Sequence, residues 1–311
     1  MPSLVADIGG TNARLALADA GGVRLSTRRR YRNRDFDSFA SLVQAFMAEC
    51  GVRALGAVAV AVAGPVVSGR ARLTNLDWEV TRDMLSALAP GGPVVLLNDM
   101  VALAYALGQL GDRGLSPICP ETRPEYRNGQ ALILGLGTGL NASILRMTDA
   151  GMPVCFEAEL GHAELPATIR DMALAALGPG AGRFQEVEDC LSGRGLSQIH
   201  ALATGEPVLD AANIVERAAA GDEGAQRALD LFCGFAGAFC RAAVFAYLPL
   251  DGIYLAGSVA RGVFGHCKAA DFDAAFRVPT LFGARFAHIP VFLINDDAAA
   301  LSGCVLALGR K

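Results

Sequence analysis

Two segments about 130 residues apart share one design. Residues 7–17 read DIGGTNARLAL and residues 135–145 read GLGTGLNASIL. Each has an apolar run, a glycine-rich turn around a threonine, and a returning, mostly apolar run. The period is too long for a solenoid and suits a duplicated domain. Two such hairpins facing each other across a cleft would put both glycine turns at a shared ligand. Further short apolar runs lie at 4–6, 58–62, 94–97, 131–134, 253–256 and 291–294. Continuous and mostly bounded by turn residues, they read as strands buried on both faces. Helical stretches at 36–50, 81–89, 100–107, 169–177, 208–219 and 224–247 lie between some of them. Strands alternating with helices indicate an α/β class. The Pro-, Gly- and Arg-rich stretch 108–128 suits a crossing between the halves.

Composition narrows the function. With 52% hydrophobic and 19% charged residues, the 311-residue chain can bury a large core, which excludes a disordered protein. A net charge of -4 without a long basic stripe argues against a nucleic-acid partner. The one basic cluster, Arg28 to Arg30 with Arg32 and Arg34, reads as a solvated strand edge. No membrane partner is expected. The most apolar long segment, 225–250, is broken by Arg227, Asp230 and Arg241, and Asp7 and Arg14 interrupt any signal peptide. The eight cysteines form no CxxC pair and read as buried thiols of a soluble, cytoplasmic protein.

Five motifs carry possible chemistry. A strand–glycine turn–strand exposes backbone N–H groups that an anion can approach, so Gly9, Gly10 and Thr11, and Gly137, Thr138 and Gly139, could each cradle phosphate. Neither is a Walker A loop or a Rossmann fingerprint, since no lysine follows and the next element is a strand. Two plain hairpins would show the same glycines. Asp7, at the end of an apolar strand, needs a partner or a cation. Beside a phosphate turn it would hold Mg2+ directly or through water. Asn98 and Asp99 sit where a buried strand meets a helix, at the strand end where α/β ligands collect. One of them capping the helix explains the pair equally well. In the functional reading, Asp99 takes a proton from a hydroxyl and Asn98 orients the substrate.

The run EAELGHAELP places Glu157, Glu159 and Glu164 around His162, and Glu159 and His162 could share one small polar ligand. A di-iron site would need two Glu-x-x-His copies on long helices, and only one copy is present, on a loop. Glu188 precedes LSGRGL, where Gly193 reads as a helix cap. Residues 252–261, GIYLAGSVAR, end a strand in a close turn at Gly257, suited to a base or ribose or to a plain strand–helix turn. Acids and amides beside two phosphate turns suggest phosphoryl transfer to a polyol, which mainly requires positioning and charge neutralisation.

In order and spacing, DIGGTNARLAL, AVAGPV, LTNLDW, LLND, LGLGTGL, EAELGH, LSGRGL and LAGSVAR resemble bacterial glucokinases, within the sugar kinase, heat-shock ATPase and actin superfamily. The resemblance implies a duplicated, two-domain actin-like (ribonuclease H-like) α/β fold with mixed five-stranded sheets and an interdomain cleft. The domains would be 1–107 with 298–311, and 108–297, the final helix returning to the first. It implies Asp99 as general base on the glucose 6-hydroxyl, with Asn98, Glu159, His162 and Glu188 bonding other hydroxyls. Gly9, Gly10, Thr11, Gly137, Thr138 and Gly139 would hold the ATP phosphates, Asp7 the magnesium, and Gly257 the adenosine. The family typically forms homodimers. Asn141, Leu160 and Ser258 stand where relatives usually carry glycine. No cysteine-rich zinc motif follows His162, the next cysteine being Cys190. A kinase for another hexose, or a catalytically silent sugar sensor, fits the same residues.

Overall fold

The computed structural model describes residues 1–73, 77–111, 114–119, 127–278 and 288–309. The chain divides into two compact units, Met1–Gly111 with Ala298–Lys311, and Asp112–Asp297. Each has a separate hydrophobic core.

In chain order, the strands of the first unit are β1 (Ser3–Ile8), β2 (Asn12–Asp19), β3 (Gly22–Val23), β4 (Arg29–Arg32), β5 (Ala57–Val62), β6 (Val66–Val67), β7 (Arg70–Arg72), β8 (Glu79–Thr81) and β9 (Val94–Asn98). Its main sheet runs β3-β2-β1-β5-β9, with β4 also paired to β2. β1 and β2 are antiparallel, whereas β1, β5 and β9 are parallel neighbours. The sequence AVAVAV of β5 is buried at every position, as a central parallel strand with both faces covered must be. Helices α1 (Phe39–Glu49), α2 (Arg82–Leu88) and α3 (Asp99–Ala106) join it. The C-terminal helix (Ala299–Leu308) packs on α3 and β5. The arginine cluster forms β4 at the sheet margin, alternating half-buried and exposed as expected of a solvated edge.

The second unit holds β10 (Leu115–Pro117), β11 (Gln130–Leu136), β12 (Leu140–Met147), β13 (Pro153–Ala158), β14 (Gly252–Ala256) and β15 (Val291–Ile294). They form one sheet in the order β10-β15-β14-β11-β12-β13. β11 and β12 are antiparallel, and β11, β14 and β15 are parallel neighbours. That repeats the β2-β1-β5-β9 arrangement of the first unit, so the duplication read from the two glycine hairpins is present in the topology. The helices are α4 (Ala167–Leu177), α5 (Val187–Cys190), α6 (Gly193–Thr204), α7 (Ala211–Ala219), α8 (Glu223–Tyr247), α9 (Ser258–Phe264) and α10 (Ala269–Phe276). By length and composition α8 could cross a membrane, but 67% of its most apolar window is buried within the protein.

Several sequence expectations change here. Each main sheet has six strands among the described residues, not five, because β4 and β10 add to the margins. The stretch 108–128 is not merely a crossing, since β10 pairs antiparallel with β15. Residues 112–113 and 120–126 of it lie outside the described residues, as do 74–76 of LTNLDW. At the ends of that motif Leu73 and Trp78 are buried, and the Leu73 N–H donates to the Trp78 carbonyl at 3.1 Å. Gly193 does not cap the end of a helix. It is the first residue of α6, behind an N-cap at Ser192 whose hydroxyl accepts from Gly195 N–H at 3.2 Å.

Candidate active site

In the first unit, the β1–β2 turn is tied from beneath. The Gly9 N–H donates to the Asn12 carbonyl at 3.0 Å, closing the turn. Asn33, 1% exposed, donates from Nδ2 to the Gly9 carbonyl at 2.7 Å and from its backbone N–H to the Thr11 carbonyl at 3.0 Å. Its Oδ1 has no hydrogen-bond partner among the described residues. A buried amide with one unpaired acceptor is uncommon, and here it accompanies a turn held open with its own carbonyls occupied. Sequence reading missed Asn33, because inside an arginine-rich run it looks like one more solvated polar residue.

Asp7 is buried near the end of β1, in register with Arg14 of β2. Arg14 Nη1 donates to Asp7 Oδ2 at 3.2 Å, so the acid already has a cationic partner within the fold. Of the partner or cation that Asp7 needs, the fold itself supplies a partner, so the burial of Asp7 does not require a metal. Counting outward from the glycine turn would have found Arg14 directly opposite. Among the described residues no group of three or more His, Cys, Asp or Glu could hold a metal. A single carboxylate such as Asp7 could still help hold magnesium carried by a nucleotide, since Mg2+ keeps several waters and takes one or two carboxylates plus phosphates.

Asn98 ends β9 and caps α3. Its Oδ1 accepts from Met100 N–H at 2.8 Å and Val101 N–H at 3.4 Å, and its Nδ2 donates to the Gly64 carbonyl at 3.0 Å. The capping role left open by the sequence is thus real, and it also joins the AVAGPV motif to the end of β9. Asp99 is the first residue of α3 and half-buried, its Oδ1 accepting from Met100 N–H at 2.9 Å. Asn98 and Asp99 therefore start one helix, at its positive end.

In the second unit, Gly137, Thr138 and Gly139 join β11 to β12, with Gly137 N–H donating to the Gly139 carbonyl at 2.9 Å. The LSGRGL segment locks onto this turn. Gly193 N–H donates to the Gly137 carbonyl at 2.8 Å, and Glu188 Oε2 accepts from Leu140 N–H at 2.9 Å. Arg194 Nη2 holds Glu188 Oε1 at 2.6 Å. A Cβ on Gly139 would collide with Glu188 Oε2, so the close approach of this carboxylate requires glycine there.

The cluster around His162 differs from the sequence expectation. Glu157 lies on β13 opposite Ser143, and Glu164 pairs with Arg170 at 3.0 Å. The partner of His162 is Glu186, which the sequence did not single out: Nδ1 donates to Glu186 Oε2 at 2.9 Å. A backbone bridge between Glu164 and Glu186 brings the two loops together, a pairing without any local sequence signal. This hydrogen bond, reinforced by the charges of Glu188, Glu186 and Glu159, raises the His162 pKa above its ordinary value despite some desolvation. Glu159 accepts from Asn141 Nδ2 at 3.1 Å. Asn141 thus donates to a candidate sugar ligand, while Leu160 packs against the core.

Gly257 sits at φ 103° between β14 and α9, and a Cβ there would strike the Leu136 carbonyl oxygen. Packing of β14 beside β11 therefore requires this glycine whether or not a nucleotide lies nearby. A groove of about 990 Å³ on the helical side of this unit, lined by Met172, Leu231, Phe235, Arg241, Asp271 and Val278, includes none of the residues singled out for phosphate, metal or sugar.

The glucokinase family model matches residues 4–311. The glucokinase of Caulobacter sp. (strain K31) is 30% identical over 98% of this chain and 94% of its own length. That of Neisseria meningitidis serogroup C (strain FAM18) is 31% identical over 99% and 94%. Among solved structures, a glucokinase from an Antarctic psychrotroph superposes with a TM-score of 0.80 at 26% identity, over 100% of this chain and 99% of that one. A ROK family glucokinase from Streptomyces griseus, solved with glucose and AMPPNP, gives 0.68 at 21% identity over 98% of each chain, a likeness of fold.

Proposed function

The chain belongs to the glucokinase family, and from that premise we propose that it transfers the γ-phosphoryl group of ATP to the 6-hydroxyl of D-glucose, with Asp99 as general base. Its fold is the duplicated actin-like α/β ATPase fold. The observation that carries the reading is the family match across residues 4–311, which takes in every motif residue on both units. Asp99 would accept the hydroxyl proton from the start of α3. Asn98, Glu159, His162 and Glu188 would bond the remaining hydroxyls. Gly9, Gly10, Thr11, Gly137, Thr138 and Gly139 would offer backbone N–H groups to the phosphates, and Gly257 would lie by the adenosine. Magnesium, held by Asp7 through water, would neutralise phosphate charge. We further propose a cytoplasmic homodimer.

A coupled assay with ATP against glucose, mannose, fructose and an amino sugar tests the function. Glucose should give the highest kcat/KM. Preference for another hexose would change the substrate, and absence of turnover with every sugar would leave a silent binder.

The Glu186–His162 contact makes a separate prediction. With its pKa raised, His162 carries its proton to higher pH, and its Nε2–H can then donate to a sugar oxygen. That donor is present below the raised pKa and lost as pH climbs through it, so the glucose KM should rise with pH. In Glu186→Gln the rise should begin at lower pH, with kcat at the acid end unchanged. Identical KM–pH profiles in the two proteins would remove Glu186 from glucose recognition.

A further inference from the structure

Gln226, Asp230, Cys233 and Gly237 recur along α8 at intervals of four, three and four residues, which places them on one helix face. That face grips the segment between α9 and α10. Gln226 Nε2 donates to the His266 carbonyl at 3.1 Å, and Lys268 N–H donates to Asp230 Oδ1 at 3.1 Å. The Lys268 ammonium pairs with Asp230 Oδ2, also at 3.1 Å. Further along, α10 lies so close that a Cβ on Gly237 would overlap the Phe272 carbonyl. Between these anchors, Cys267 Sγ lies 2.8 Å from Cys233 Sγ. Two thiols in simple van der Waals contact do not come this near.

We propose that Cys233 and Cys267 are a redox modification site that forms a reversible disulfide when the protein meets a hydroperoxide. The sulfurs need to close by less than about 1 Å to reach the bonded separation near 2.05 Å. The two cysteines are 34 residues apart in sequence, so the anchoring along α8 supplies a proximity that the chain alone would not. Accessibility assigns the roles: Cys267 is half-buried and Cys233 is fully buried. The hydrogen bond with Cys267, together with burial, raises the Cys233 thiol, which leaves the first reaction with peroxide to Cys267.

In the first step the Cys267 thiolate attacks the peroxide. The O–O bond breaks, an S–O bond forms, and the other oxygen leaves as water or alcohol after taking a proton. In the second step the Cys233 sulfur attacks the Cys267 sulfenic sulfur. The S–O bond breaks, and hydroxide leaves as water with the Cys233 proton. Two thiols lose two electrons in all, and one peroxide gains them. Cys119 and Cys240 are a built-in comparison. The Cys119 charge adds to the rise of the Cys240 thiol, but both are buried, and burial is the first cause raising each thiol.

The test treats the full-length native protein with hydrogen peroxide, then counts thiols and maps peptides by mass. Of eight cysteines, six should remain free, with a mass lower by about 2 Da and one cross-linked peptide joining 233 to 267. Dithiothreitol should restore all eight, and the oxidised form should melt several degrees higher than the reduced form. Cys267→Ser should retain its seven thiols under the same treatment. Should that variant fail to fold, the peptide map of the unaltered protein still decides. Eight thiols after treatment, Cys267 oxidised without a cross-link, or a Cys119–Cys240 link instead would each overturn the proposal.

Discussion

Asp99→Asn should lower kcat for glucose by about 10²–10⁴-fold while leaving glucose binding measurable by calorimetry. Asparagine keeps the Oδ1 acceptor that meets Met100 N–H at 2.9 Å, so the start of α3 survives the exchange. What disappears is the carboxylate, and with it the site that would receive the hydroxyl proton. Removing a base affects the transition state far more than the bound substrate, which predicts a fall in kcat with little change in Kd. A structural role alone predicts something else. Loss of a negative charge at the positive end of a helix costs about 0.3–1 kcal/mol and leaves turnover nearly intact. A kcat within a few-fold of the parent would therefore eliminate Asp99 as the base.

Gly257→Ala should destabilise the second unit by about 2–5 kcal/mol, from a Cβ forced against the Leu136 carbonyl and from a φ of 103° that alanine rarely adopts. For a unit of this size that means a Tm lower by roughly 10 °C. The affected contact joins β14 to β11, the strand that leads into the second glycine turn, so ATP use should fall with stability. Thermal unfolding separates packing from ligand contact. An unchanged Tm with a raised KM for ATP would show that Gly257 serves the nucleotide and that the neighbouring backbone yields easily.

These two residues show how differently the sequence speaks about a site. The place of Asp99 at the start of α3 was legible because a buried strand passing into a helix marks a strand end, where α/β folds place their chemistry. Gly257 was legible as a close-approach turn, but not for its reason. The atom it must avoid belongs to Leu136, more than a hundred residues earlier. Asn98 shows the same limit, since its cap was predictable from the next two residues and its bond to the Gly64 carbonyl was not.

By itself the sequence determined the α/β class, the positions of the central strands and of most long helices, though not α6, the duplication, and the candidate phosphate turns. All of these follow from local periodicity and turn chemistry, which act between near neighbours in the chain. Tertiary structure alone decided which charges meet. Glu186 answers His162 across a bridge between two loops, and Arg194 with Leu140 N–H fixes Glu188 against the second turn. Asn141 reaches Glu159, and Asn33 supports Gly9, in the same way. The physical reason is that such pairings join segments across folded strands and loops. Only packing of the cores compensates the entropy of closing those loops, and no local pattern records which side chains then lie side by side.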